Sequence, residues 1–294
     1  MKTFTNKKYV TTMKKLIYIF YAIVCYFIFF ASFLYMIGFV ENITNYSFAA
    51  PVHNLFPKTL DTGTSSLPLI PSVLIDLFLV ALFGMQHSIM ARQGFKKKWT
   101  KLIPRPIERS TYVLSASAML IVLYLFWQPI KFSIWNVSQT ITGNLLVIIS
   151  MVGWGLVVIS TYIINHFDLF GLLQVFRYAR NKKPYHPKFQ TPLFYKIVRH
   201  PLYLGFLIVF WVTPVMTIGH LVFSAAMTIY ILIGIYHEEK DLVRFHGNSY
   251  QRYREEIPKI IPFTSPISQK QKTRDETNSE IVSQKKEKEE EVVT

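Results

Sequence analysis

The hydrophobic positions of this chain gather into six long runs instead of alternating with polar ones at a strand or surface-helix period. Leu16–Val40 holds 25 residues without a charge. It is too long for the apolar core of a signal peptide, and no small-residue cleavage site closes it. Leu67–Met90 follows, with Asp76 toward one end and His87 toward the other. Thr111–Ile130 and Ile141–Ile164 are the third and fourth runs. Pro201–Thr217 and Ile218–Ile235 come last, with Pro214 and Gly219 marking a break between them. Runs of this length predict transmembrane helices. The expected fold is an all-α polytopic membrane bundle of about six transmembrane helices, the last two forming a tight hairpin.

Charge then orients the bundle. Residues 1–15 hold five lysines; the stretches 41–66, 91–110, 131–140 and 165–200 hold one, seven, one and seven basic residues; eleven follow from His237 onward. That alternation fits six crossings with both termini on the cytoplasmic side. It also accounts for the net charge of +15, since only 17% of residues are charged, 51% are hydrophobic and mean hydropathy is +0.28. A nucleic-acid-binding role is disfavoured, and the basic loops are expected to meet membrane lipids, with Lys96, Lys97, Lys98 and Trp99 at anionic headgroups. The single cysteine, Cys25, excludes a disulfide framework and a cysteine metal cluster, and no metal site is expected. Residues 264–294 carry six basic and seven acidic side chains and no aromatic, a composition expected to stay disordered. The chain therefore divides into a basic cytoplasmic N-terminus (1–15), a membrane domain (16–263) and a charged tail (264–294).

Candidate chemistry concentrates near the fifth run. Pro201 suits the first position of a helix. The first turn behind it, with Arg199 and His200, makes a positively biased pocket for a carboxylate or phosphate. The hairpin returns Glu238 and Glu239 to the same depth. Basic and acidic groups so placed can hold an amphoteric ligand; equally, Arg199 can simply pair with Glu238 or Glu239 to tie down the hairpin. His87 lies at the same level on the second run and reads either as a base or acceptor-site residue or as a structural histidine. His166 and Asp168, after the fourth run, face the same division. His220 falls at the opposite face, Asp76 reads as structural or as exposed to a water-filled cleft, and Cys25 as inert packing.

These residues resemble a known family. Arg199-His-Pro-Leu-Tyr-x-Gly205, then a hairpin, then Glu238-Glu-x-x-Leu242 and Phe245-x-Gly-x-x-Tyr-x-x-Tyr253, is similar to the isoprenylcysteine carboxyl methyltransferase superfamily of membrane enzymes, over roughly residues 189–262. Gln86-His-Ser-Ile-Met-Ala-Arg92, Pro106-Ile-Glu-Arg-Ser-Thr-Tyr112, Asp168-Leu-Phe-Gly-Leu-x-Gln174 and Thr213-Pro-x-Met-Thr-x-Gly-His220 look like its methanethiol S-methyltransferase branch. The resemblance implies S-adenosylmethionine (SAM) as methyl donor, held by Tyr195, Arg199, His200, Tyr203, Leu204 and Gly205 and closed by Glu238 and Glu239. It implies a small thiol acceptor, methanethiol, yielding dimethyl sulfide and S-adenosylhomocysteine. The superfamily often has glycine two residues before the first of these tyrosines, where this chain has Leu193.

A sulfonium methyl is already activated, so the protein must supply position and electrostatics. The thiol acceptor must lose a proton, which makes His87, and at the loop Asp168, the candidate catalytic residues. Three other readings stand beside this one. They are SAM-dependent methylation of a lipid-like carboxylate, a nicotinamide-dependent reductase on the shared C-terminal core, and a non-enzymatic transport or assembly protein.

Overall fold

In hydrocarbon every backbone N–H and C=O must find a partner inside the protein, so the apolar runs have few choices but helix. The computed structural model describes residues 2–65, 67–184 and 189–264; of the tail expected to be disordered, 265–294 lie outside the described residues. The structure is an all-α membrane bundle. Its long helices are α1 (Lys2–Val40), α2 (Leu69–Ala91), α4 (Glu108–Phe126), α5 (Ile141–Ile164) and α9 (Ile218–His246). The shorter α3 (Gln93–Trp99), α6 (His166–Leu169), α7 (Leu172–Ala179), α8 (Pro201–Trp211) and α10 (Asn248–Glu256) complete it. Five segments are long and apolar enough to cross a membrane, and the chain is an integral membrane protein.

Three boundaries differ from expectation for local reasons. The helix α4 stops at Phe126, short of Ile130, because Pro129 pushes its predecessor out of helical backbone. The last long helix runs on to His246, past the expected end at Ile235, so Glu238 and Glu239 lie on a helix and not on an exit loop. The fifth run forms only an 11-residue helix, α8, which rises about 16 Å, roughly half a hydrocarbon core. Pro214 cannot continue it. The chain crosses the remaining depth extended, and Val215–Thr217 (β2) pairs antiparallel with Ser133–Asn136 (β1). Bonds from Val137 N to Pro214 O, Ile218 N to Phe132 O and Gly219 N to Ile130 O satisfy the backbone there. The chain still returns, since α8 and α9 lie antiparallel, with Arg199 beside Glu239 at one end and Trp211 Nε1 donating to Thr228 Oγ1 near the other.

The tightest contact places α8 on α5. A Cβ at Gly205 would sit 2.8 Å from Gly153 O and 3.0 Å from Val157 N, so only hydrogen lets the two backbones approach. Phe39, Trp127, Phe210, Phe223 and Ile235 fill the centre among α1, α4, α8 and α9, and Trp127 Nε1 donates to Leu60 O. The end of the bundle where α8 begins and α9 finishes carries the basic loops and is called the basic end below.

Candidate active site

A cavity of about 810 Å³ opens at the basic end and runs inward between α1, α2, α4, α5, α8 and α9. Its wall extends along α9 from His246 to Met227, roughly 28 Å of helix. The outer part is polar, lined by Tyr195, Arg199, His200, Glu238, Tyr250 and Tyr253. Deeper, Phe33, Met36, Leu120, Phe206, Phe210 and Ile231 make it apolar. Between the two zones stand His87, Tyr112, Tyr203 and Tyr230.

The polar zone is built by an ion cluster just behind its wall. Arg199, buried, donates from Nε to Glu239 Oε1 (2.8 Å) and from Nη1 to the carbonyls of Arg254 and Ile257. His200 Nε2 lies 3.2 Å from the same Glu239 oxygen, while its Nδ1 is 3.9 Å from Glu238 Oε2. Arg254 and Lys259 approach the second oxygen of Glu239 at 4.0 and 3.9 Å. The backbone N–H groups of Arg199 and His200 donate to Pro258 O and Lys259 O, so the segment after α10 folds across the start of α8. Tyr253 Oη donates to Tyr195 O at 2.6 Å and fixes the rim. Burial raises the phenols of Tyr195, Tyr250 and Tyr253 well above the usual tyrosine range, which keeps them neutral hydrogen-bonding groups.

Of the residues expected to hold a cofactor, Tyr195, Arg199, His200, Tyr203 and Glu238 line the cavity. Glu239, Leu204 and Gly205 do not. Glu239 is a buried counter-ion for Arg199, and Gly205 is spent on the α5 contact. The acidic pair divides: Glu239 ties Arg199 down, while Glu238 alone faces the cavity with its side chain about 45% exposed, since consecutive helical positions point about 100° apart.

His87 faces the middle of the cavity, with Nε2 2.7 Å from Tyr112 Oη and Nδ1 buried without a partner among the described residues. The guanidinium of Arg109 lies 5.0 Å above the Tyr112 ring, and its Nε donates to Leu169 O. His166 also lines the cavity, but its ring nitrogens are both engaged. Thr161 Oγ1 donates to Val158 O and so accepts from His166 Nδ1, leaving Nε2 to accept from Tyr26 Oη. Burial lowers its pKa further, and the ring is a neutral structural one. Asp168 stands outside the cavity lining. Its Oδ1 accepts from Gln174 Nε2 (3.1 Å) at the α6–α7 corner; burial raises its pKa and Arg109 opposes the rise. Asp168, a candidate catalytic residue in the sequence, is thus held at the corner beside the cavity and not among the residues that line it. His220, at the other end, bonds Phe210 O from Nε2, and Asp76 accepts from Gln128 N. Tyr112 and Arg109 lie in a motif whose individual residues had not been singled out. Tyr230, inside an apolar run, had no local signal at all.

Several known proteins are similar to this chain over most of its length. A methanethiol S-methyltransferase of Crocosphaera subtropica is 46% identical over 243 residues, covering 83% of this chain and 91% of that protein. Methanethiol S-methyltransferase 1 of Bradyrhizobium diazoefficiens is 47% identical over 253 residues, 86% and 85% of the two chains. That of Pseudomonas deceptionensis is 48% identical over 207 residues, 70% and 78%. No family model matches the chain, and no solved structure matches it. With identity at this level across most of both chains, and a membrane cavity joining a charged pocket to an apolar chamber, the chain belongs to the methanethiol S-methyltransferase family of membrane methyltransferases.

Proposed function

We propose that the protein transfers a methyl group from SAM to methanethiol at the waist of the cavity, giving dimethyl sulfide and S-adenosylhomocysteine. The observation that carries this reading is one continuous cavity whose two halves suit two different reactants. The polar half fits the donor. Arg199, His200 and the first turn of α8 suit its carboxylate, Glu238 its ammonium or ribose hydroxyls, and the tyrosines its base. The donor supplies an activated methyl; the protein holds it facing inward. An uncharged thiol belongs in the apolar half. There its S–H meets His87 and Tyr112, the only imidazole–phenol pair at the waist among the described residues, and we assign these the acceptor-side proton. The carbonyl of Leu169, next to Asp168, holds Arg109 through its Nε, and Arg109 in turn covers Tyr112. The basic end is the cytoplasmic one, where SAM is available.

The direct test is dimethyl sulfide in the headspace of a host that lacks the activity, supplied with methanethiol and expressing the chain in its membranes. No product above the empty-vector control would sink the reading. Substitutions sharpen it. Glu238→Ala should weaken SAM binding at least tenfold while leaving the folded protein intact, as should His200→Ala. Glu239→Ala should instead lower stability by roughly 3–5 kcal/mol, because it strands the buried Arg199 charge. Equal SAM affinity in wild type, Glu238→Ala and His200→Ala would remove the pocket assignment.

A further inference from the structure

The cavity is larger than its two proposed occupants require. A donor of SAM's size, at roughly 15–20 Å³ per heavy atom, takes about half to two-thirds of the 810 Å³. Methanethiol, with two heavy atoms, needs only about twice the space of a water molecule. The surplus lies beyond the waist, away from every charged group of the site. There α4 lines the cavity from Val113 to Leu120, about 10 Å of helix, opposite Phe33 and Met36 of α1 and Phe206 and Phe210 of α8. That stretch of α4 carries two hydroxyls, and both spend their protons on their own helix: Ser115, outside the lining, donates to Thr111 O, and Ser117, which lines the chamber, donates to Val113 O. An apolar chamber of this kind gains from every methylene placed in it. At its mouth stand His87 and Tyr112, the groups that would receive a thiol's proton.

We propose that the chamber is an alkyl-binding subsite, and that the enzyme also S-methylates straight-chain alkanethiols whose chains extend into it, up to roughly six to eight carbons. This rests on the methyltransferase reading above and extends its substrate class. The reaction balances as for the small acceptor. The S–H bond breaks and its proton leaves through the polar half to water. The thiolate sulfur forms a bond to the methyl carbon, and the methyl–sulfonium bond breaks with its electron pair returning to the donor sulfur. The products are an alkyl methyl sulfide and neutral S-adenosylhomocysteine.

The test uses membranes carrying the full chain, deuteromethyl-labelled SAM, and methanethiol, ethanethiol, butanethiol, hexanethiol and decanethiol in parallel. Labelled alkyl methyl sulfides are measured by mass spectrometry, with rates set against the aqueous thiol concentration. Labelled methyl sulfides are expected up to hexanethiol, with KM falling about threefold to fourfold per added methylene and levelling off before decanethiol. Ala116→Phe, which fills the chamber from α4, should lower the hexanethiol-to-methanethiol ratio of kcat/KM at least tenfold; if that variant does not fold, Ala116→Leu carries the same comparison. Dimethyl sulfide from methanethiol, with no product from butanethiol or hexanethiol, overturns the subsite and leaves the smaller reading standing. Hexyl methyl sulfide without dimethyl sulfide keeps the subsite and overturns methanethiol as acceptor. No product from any thiol overturns both.

Discussion

Leu193 shows how one residue can carry a conformation meant for another. Its φ is +46°, in the left-handed region that an L side chain enters at a cost of about 1–2 kcal/mol. This is the position at which the resembling superfamily often has glycine, and Pro192 beside it lines the cavity. The leucine side chain is mostly exposed and repays little of that cost by packing. Leu193→Gly should therefore be neutral or stabilising by up to about 1 kcal/mol, the relief being partly offset by the freer unfolded chain. Leu193→Val, β-branched, should lose at least about 1 kcal/mol. Thermal unfolding in detergent decides it; a destabilising glycine beside a silent valine would mean the backbone there is not left-handed. The same scale separates Glu238 from Glu239. The sequence brought both to the right depth, but with the helix expected to end at Ile235 there was no periodicity by which to point one inward and the other at Arg199.

At the scale of elements, the α5–α8 contact is what holds the polar pocket in place. Arg199, His200 and Tyr203 ride on the start and first turn of α8, and α8 is fixed by two glycines meeting backbone to backbone. Gly205→Ala would put a Cβ 2.8 Å from Gly153 O, a backbone atom that cannot swing aside. It should destabilise the protein by about 1–3 kcal/mol and weaken SAM binding as well. Gly155→Ala, on the same helix α5, meets open space and should be neutral or slightly stabilising through helix propensity. Equal stability of the two variants would refute the packing account. The long helices were legible because 20 or so uncharged residues have one solution in lipid. The half-length of α8 was not, because Val212–Thr217 carries no charge to set it apart from the helix it follows. Pro214 marked a turn there, but the partner strand that makes extended backbone tolerable lies about 80 residues away.

On the scale of the whole molecule, a membrane chain hides its interior. Phe33 faces the chamber and Phe27 is exposed on the outer surface of the same helix, yet the two are alike in sequence, so a cavity walled by six helices left no trace in composition. The polar positions at the end opposite the site were equally silent, and they organise that end. Asp61 accepts from Asn42 Nδ2 (2.8 Å) and Thr217 Oγ1 (2.6 Å), while Asn42 Oδ1 takes the Asp61 N–H; together they clamp the exit of α1 to the entry of α9. Burial pushes the Asp61 carboxyl up from 3.8 to about 6, against the lowering effect of those hydrogen bonds. Between these two values the folded chain binds this proton more readily than the unfolded chain does. The contribution to stability is therefore full below pH 3.8 and is lost as pH rises through about 6. A loss of about 2–3 kcal/mol between pH 4 and pH 7 is expected from this residue. Asp61→Asn removes the titration but keeps a side chain that can bond Thr217, so the variant's unfolding temperature should change less across that range than the wild type's. Parallel melting curves in nanodiscs at pH 4, 5, 6 and 7 measure the difference; identical pH profiles for the two proteins would show that Asp61 ionises in the folded state as it does in water.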